Sequence, residues 1–125
     1  MVSFNDLTFS SHEPVYLQIA AHVRRAIFTG TAQNGDPLPS RREIAAALEV
    51  NPNTVQKAFR QMEADGYVVT NGNTGSVIHV DDSLRGRIEA ELTQGMVLGF
   101  IQSAKHNGLT LPRVVALLGE LWERS

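Results

Sequence analysis

The chain contains no cysteine, which removes disulfides, thiolate metal sites and cysteine nucleophiles together and fits a reducing compartment. No run approaches eighteen consecutive apolar residues, so no membrane span is expected. The opening stretch MVSFNDLTFSSHEP lacks a basic start followed by an apolar core, so the protein is expected to be soluble, unexported and cytoplasmic. His12, His22, His79 and His106 are scattered, without H-E-x-x-H or similar spacing, and are expected to be solvated or packed rather than to hold a metal. There is no G-x-x-x-x-G-K motif, and Gly72 and Gly75 fit turn geometry better than a phosphate cradle. No arrangement of serine, histidine and acid can be picked out, and the neighbours Asp81 and Asp82 suit the start of a helix better than acid–base chemistry. An enzyme with a resident cofactor is therefore not expected. No internal repeat and no low-complexity segment is present.

What remains is a chain of 125 residues, 42% hydrophobic and 19% charged, enough for one compact domain and a small appendage. The net charge is −2, which does not favour a polyanionic partner. Charge is unevenly placed, however. Between Ser40 and Gln61 the cations are Arg41, Arg42, Lys57 and Arg60 and the anions only Glu43 and Glu49.

Residues 1–13 show no periodicity and read as a loose arm. From Pro14, Tyr16, Ile19, Ala20, Val23 and Ile27 recur at helical spacing, and Gly30 suits the stop. The following GTAQNGDPLP is dense in glycine and proline and predicts a loop. Ser40 and Glu43 then form an S-x-x-E capping box, opening a short helix with Ile44, Ala45 and Leu48 inward that stops near Glu49. Asn51 and Pro52 restart the chain as a third helix, since asparagine caps well and proline loses no hydrogen bond in the first turn. That helix ends around Asp65 and Gly66. Tyr67–Thr70 and Ser76–Val80 have strand character around the turn NGNTG, predicting a β-hairpin.

A long helix opening at Asp82 and Ser83 carries Leu84, Ile88, Leu92, Met96, Phe100 and Ile101 and breaks at Asn107 and Gly108. A shorter helix from Leu111 carries Val114, Val115, Leu117, Leu118, Leu121 and Trp122, a stripe too wide for one neighbour to cover. The fold class is mostly α (α+β): a helix pair with a hairpin in residues 1–82, then a helical hairpin in 83–125.

Two short helices joined by a tight turn form a shape that puts the second into the major groove of DNA. On the third helix Val55, Ala58, Phe59 and Met62 follow core spacing, which aims Asn53, Lys57 and Arg60 directly away, with Thr54, Gln56 and Gln61 on the flanks. The outward set contains no acid. Asn and Gln can pair with adenine edges, Lys with guanine, and Lys, Arg or Thr with phosphate. A solvated helix face is the bland alternative, and the capped helix and turn before it are what weigh against that.

The segments PVYLQIAAHVRRAIFTG, GDPLPSRREIAAAL, VNPNTVQKAFRQMEADGY and GSVIHV, in this order across roughly residues 10–80, resemble the winged helix-turn-helix of the GntR family of bacterial transcription regulators. The region beyond Asp82 resembles the two-helix C-terminal region of its YtrA-like subfamily. The resemblance implies that Arg42 meets DNA, that Thr54 and its neighbours contact phosphate or bases, and that the hairpin is a wing entering the minor groove. It also implies a transporter operon as the regulated target. Gln56 stands where many members have arginine, and Pro52 at another position that is often basic. The wing tip is Asn71, Gly72, Asn73 and Thr74 before Gly75, with no cation, so minor-groove engagement through Asn73 and Gly75 is expected to be weak. Affinity then falls to Arg41, Arg42, Lys57 and Arg60.

A single recognition helix reads few base pairs, and regulators of this shape gain affinity by dimerising on two half-sites. Leu92, Met96, Phe100, Val114, Leu117, Leu118, Leu121 and Trp122 are the expected dimer surface, with Gly95 and Gly99 permitting close approach of crossing helices. The alternative is a helical hairpin that packs on its own winged domain. Two helices surround little space, so a small-molecule effector, of a chemistry the sequence does not identify, is expected at the dimer junction. The expected protein is a homodimeric repressor on a palindromic double-stranded operator. Its rival is a winged-helix module that binds protein without reading DNA sequence, for which the acidic net charge speaks.

Overall fold

The computed structural model describes residues 2–73 and 75–125. Thr74 of the expected wing tip lies outside them. The elements run α1 (Val15–Phe28), α2 (Arg41–Leu48), α3 (Pro52–Asp65), β1 (Val68–Asn71), β2 (Gly75–Ile78), α4 (Asp82–His106) and α5 (Leu111–Trp122).

The helix boundaries arise from local chemistry. At α2 the Ser40 hydroxyl accepts the Glu43 N–H at 3.1 Å and the Glu43 carboxylate accepts the Ser40 N–H at 3.3 Å, closing the capping box. Glu49 then turns the chain out of α2 in the left-handed region, at φ 56°, and among the described residues no other non-glycine residue does so. For a side chain with a Cβ that conformation costs about 1 kcal/mol, and here it is what makes the helix–helix turn tight. Two residues on, the Asn51 side chain accepts the Asn53 N–H at 2.8 Å and Pro52 occupies the first turn of α3. Gly66, at φ 90°, ends that helix.

One core gathers the inward faces of these elements. Ile19, Val23 and Ile27 of α1, Ile44 of α2 and Val55, Ala58, Phe59 and Met62 of α3 are all buried. Burying the Phe59 ring alone is worth about 2–3 kcal/mol. The Tyr67 hydroxyl, also buried, donates to the Ala20 carbonyl at 3.1 Å and so ties the start of the hairpin to α1. The hairpin is antiparallel with Val68 opposite Ile78 and Asn71 opposite Gly75. Against the expected Tyr67–Thr70 and Ser76–Val80, β1 is shifted one residue towards the tip, because the Tyr67 N–H is spent on Met62 of α3, and β2 starts one residue earlier and stops at Ile78.

One expectation about the start of the chain needs correction. The first thirteen residues are not a loose arm: Val2 and Phe4 are 2% and 5% exposed, and the Phe4 ring lies 5.2 Å from that of His22. His22 Nε2 donates to the Ser3 carbonyl at 2.7 Å, and the Gln18 amide brackets Ser10 and Glu13. Two isolated apolar residues can be anchored by long-range contacts without any periodicity. The glycine- and proline-rich stretch is a loop as expected, and it is tied to the open edge of β2, where Leu38 donates to Ser76 at 2.9 Å and Ile78 to Asp36 at 2.8 Å. The first of two compact units extends to Ile88. Leu84 and Ile88 are buried, Arg85 donates to the Ile27 carbonyl at 3.1 Å and Arg87 to that of Asp65 at 2.6 Å.

The second unit, Glu89–Ser125, holds the rest of α4 and all of α5. Gly108, at φ 76°, makes the turn, and Thr110 caps α5 by accepting the Arg113 N–H at 3.4 Å. Lys105 and His106 in the last turn of α4 match the negative end of its dipole. Between the two helices lies an open groove of ≈ 430 Å³ lined by Phe100, Ile101, Ala104, Leu109, Leu111 and Val114. Among the described residues no helix is long and apolar enough to cross a membrane.

Candidate nucleic-acid interface

The buried stripe of α3 sets the geometry of its outer face. With Val55, Ala58, Phe59 and Met62 in the core, Asn53, Lys57 and Arg60 are exposed, and Thr54, Gln56 and Gln61 are half-buried on the flanks. Gln61 is partly engaged, its amide donating to the Asp65 carboxylate at 3.2 Å. Asn53 offers its whole side-chain amide, since the cap at this end of α3 uses only its backbone N–H. A fully capped helix therefore presents amides, a lysine and an arginine, with no acid among the three outward residues.

The two arginines opening α2 have different surroundings. Arg42 is exposed. Arg41 turns back onto α3: its guanidinium carbon stands 4.5 Å from the centroid of Phe59, and one terminal nitrogen donates to Glu63 at 3.3 Å. Its Nε is buried without a hydrogen-bond partner. Helix periodicity places Arg41 near the face of interest, but it does not reveal that a carboxylate of the neighbouring helix waits for it. For Arg41 to reach a phosphate, the ion pair must open.

Lys57 has a partner of another kind. Its ammonium lies 4.3 Å from the centroid of Tyr16, in the first turn of α1. The spacing of α1 makes Tyr16 one more core residue; it is in fact half-buried at the edge of the core, with Lys57 over its face. At the hairpin, Asn73 is exposed near the tip and Gly75 sits at φ 75°, opposite Asn71. The sheet is pinned just behind the tip by Thr70 and Ser76, whose hydroxyls are 2.7 Å apart. Among the described residues no three histidine or acidic side chains come together in a metal-binding cluster.

In the second unit the expected dimer surface divides. Leu92, Val114 and Leu117 are half-buried, while Met96, Phe100, Leu118, Leu121 and Trp122 are exposed, Met96 to 64% and Trp122 to 73%. Gly95 and Gly99 face open space, with no atom within 4 Å of where a Cβ would stand.

Comparison with known proteins agrees with this architecture. The sequence profile of bacterial regulatory proteins of the gntR family matches residues 15–78. YhcF of Bacillus subtilis, described as an uncharacterized HTH-type transcriptional regulator, is 36% identical over 105 residues, 84% of this chain and 87% of that protein. The HTH-type transcriptional repressor YtrA of the same organism is 38% identical over 68 residues, 54% of this chain and 52% of that protein. Among solved structures, a GntR family transcriptional regulator from Listeria monocytogenes superposes with a TM-score of 0.78 at 30% identity, covering 90% of this chain and 98% of that one. With a capped helix pair, a following hairpin, the family profile over more than half its length and transcriptional regulators as its relatives, this chain belongs to the gntR family of bacterial regulatory proteins and is a transcriptional regulator with a DNA-binding winged helix-turn-helix.

Proposed function

We propose that the chain acts in the cytoplasm as a homodimeric repressor of an inverted-repeat operator. The observation that carries this reading is the exposed, acid-free face of Asn53, Lys57 and Arg60 on a helix capped at both ends, with Arg42 exposed in the first turn of α2. Two copies of α3 would enter successive major grooves, with Asn53, Thr54 and Gln56 reading base edges and Arg42, Lys57 and Arg60 taking phosphates. Bound there, the dimer blocks polymerase sterically. Arg41 contributes less than Arg42 because its charge is already matched by Glu63.

Dimerisation is supported by the second unit. Met96, Phe100, Leu118, Leu121 and Trp122 leave an apolar surface that water penalises and a second copy would cover. The name of the B. subtilis relative YtrA, a repressor, supports the sign of regulation, and the YtrA-like resemblance supports a transporter operon as target. An effector would act by changing the distance between the two α3 helices, from a site at the dimer junction.

Selection of duplexes from a random pool tests this reading. It is expected to enrich an inverted repeat with half-sites about 10–10.5 bp apart, or a multiple of that, bound by two chains per duplex in sedimentation. A chain that stays monomeric at micromolar concentration, or enriches no sequence, contradicts it.

A further inference from the structure

Two cations of the helix pair sit on aromatic rings, and the consequences for binding a polyanion are opposite. Arg41 over Phe59 also touches Glu63, so much of its field is cancelled inside the protein. Lys57 over Tyr16 is in no ion pair among the described residues. A ring is neutral: it restrains the otherwise mobile lysine stem while leaving the full positive charge unmatched on an exposed residue. We propose that Tyr16 is a positioning residue for DNA binding, its ring holding the Lys57 ammonium in place at the outward edge of α3 so that phosphate meets an already ordered cation. This rests on the reading of α3 as the DNA-facing helix.

The geometry explains why this pair suits the task. Tyr16 belongs to the first turn of α1, a 14-residue helix whose Ile19, Val23 and Ile27 lie in the core, so the ring stands on a fixed base. The attraction between an exposed ammonium and a ring is weak enough for a phosphate to share or replace it, whereas a carboxylate would compete for the same charge. Only the ring face is needed for this, not the phenol oxygen.

The test uses a duplex that the wild-type chain selects from a random pool, and four variants: Tyr16→Phe, Tyr16→Leu, Lys57→Met and the double variant Tyr16→Leu with Lys57→Met. Tyr16→Phe is expected to bind as wild type, and Tyr16→Leu about 2- to 5-fold more weakly. Lys57→Met should weaken binding at least as much and flatten the salt dependence, and adding Tyr16→Leu to it should change nothing further. Equal weakening by Tyr16→Leu in the wild-type and Lys57→Met backgrounds would show that Tyr16 acts through the fold alone and overturn the proposal, as would no effect of either single change. The ε-methylene protons of Lys57 supply a second readout that needs no Tyr16 variant. In the free wild-type protein they are expected upfield of their random-coil position, shielded by the ring, and to move when the duplex is added. A random-coil position in the free protein overturns the proposal as well. A wild-type chain that enriches no duplex removes the DNA reading itself, a failure distinct from normal binding with uncoupled Tyr16 and Lys57.

Discussion

Arg41 and Arg42 are adjacent in sequence, chemically identical and physically unlike. An arginine whose guanidinium already meets a carboxylate has less to gain from a phosphate, because the incoming contact must replace an existing one. Arg41 is in that position through Glu63, and Arg42 is in no ion pair among the described residues. Replacing Arg42 with alanine is therefore expected to weaken operator binding about tenfold, as charge-assisted contacts are lost in both subunits. The helical content should stay unchanged, since Arg42 takes no part in the capping box of Ser40 and Glu43. Full binding by that variant would contradict the docking of α2 against the duplex. Glu63→Gln should act in the opposite sense, freeing Arg41 and tightening binding about 2- to 3-fold with a steeper salt dependence. Unchanged affinity and slope would leave Arg41 as a brace between α2 and α3.

At the scale of the elements, local rules carry furthest where the deciding atoms lie within one turn of each other. The S-x-x-E box and the Asn–Pro start of α3 are visible in sequence because their hydrogen bonds close between residues two or three apart. The outward aim of Asn53, Lys57 and Arg60 is legible for the same reason, as the spacing of Val55, Ala58, Phe59 and Met62 dictates it. Contacts closed over long separations are not legible. Phe4 on His22, Leu38 on the edge of β2, Arg41 on Glu63 and Lys57 on Tyr16 each depend on which element happens to stand opposite, and periodicity is silent about that. The wing carries Asn73 with no cation beside it, so Asn73→Lys should tighten binding several-fold and add about one unit to the salt slope per wing that touches phosphate; an unchanged slope removes the hairpin from the contact surface. On α4 a side chain at Gly99 meets nothing within its own chain, so Gly99→Leu should leave the monomer folded. If a partner's helix crosses there, the dimer should weaken by at least tenfold in sedimentation. Undiminished dimerisation would place the interface elsewhere on α4 and α5.

The whole molecule carries a net charge of −2 and yet presents cations where a duplex would lie. Long-range attraction to DNA is therefore small, and affinity must come from short-range contacts on a limited surface, which the proposed dimer would make twice. On the proposed reading dimerisation is a condition of useful binding rather than an addition to it, because one α3 and one Arg42 would make too few contacts for an operator complex. The salt dependence of binding measures this most directly. With Arg42, Lys57 and Arg60 from each of two subunits on phosphates, log K against log salt should fall with a slope of about −5 on a selected palindrome. The palindrome should also be preferred over random duplex by more than about 10³. A slope near zero, or equal affinity for palindromic and random duplexes, would contradict the account.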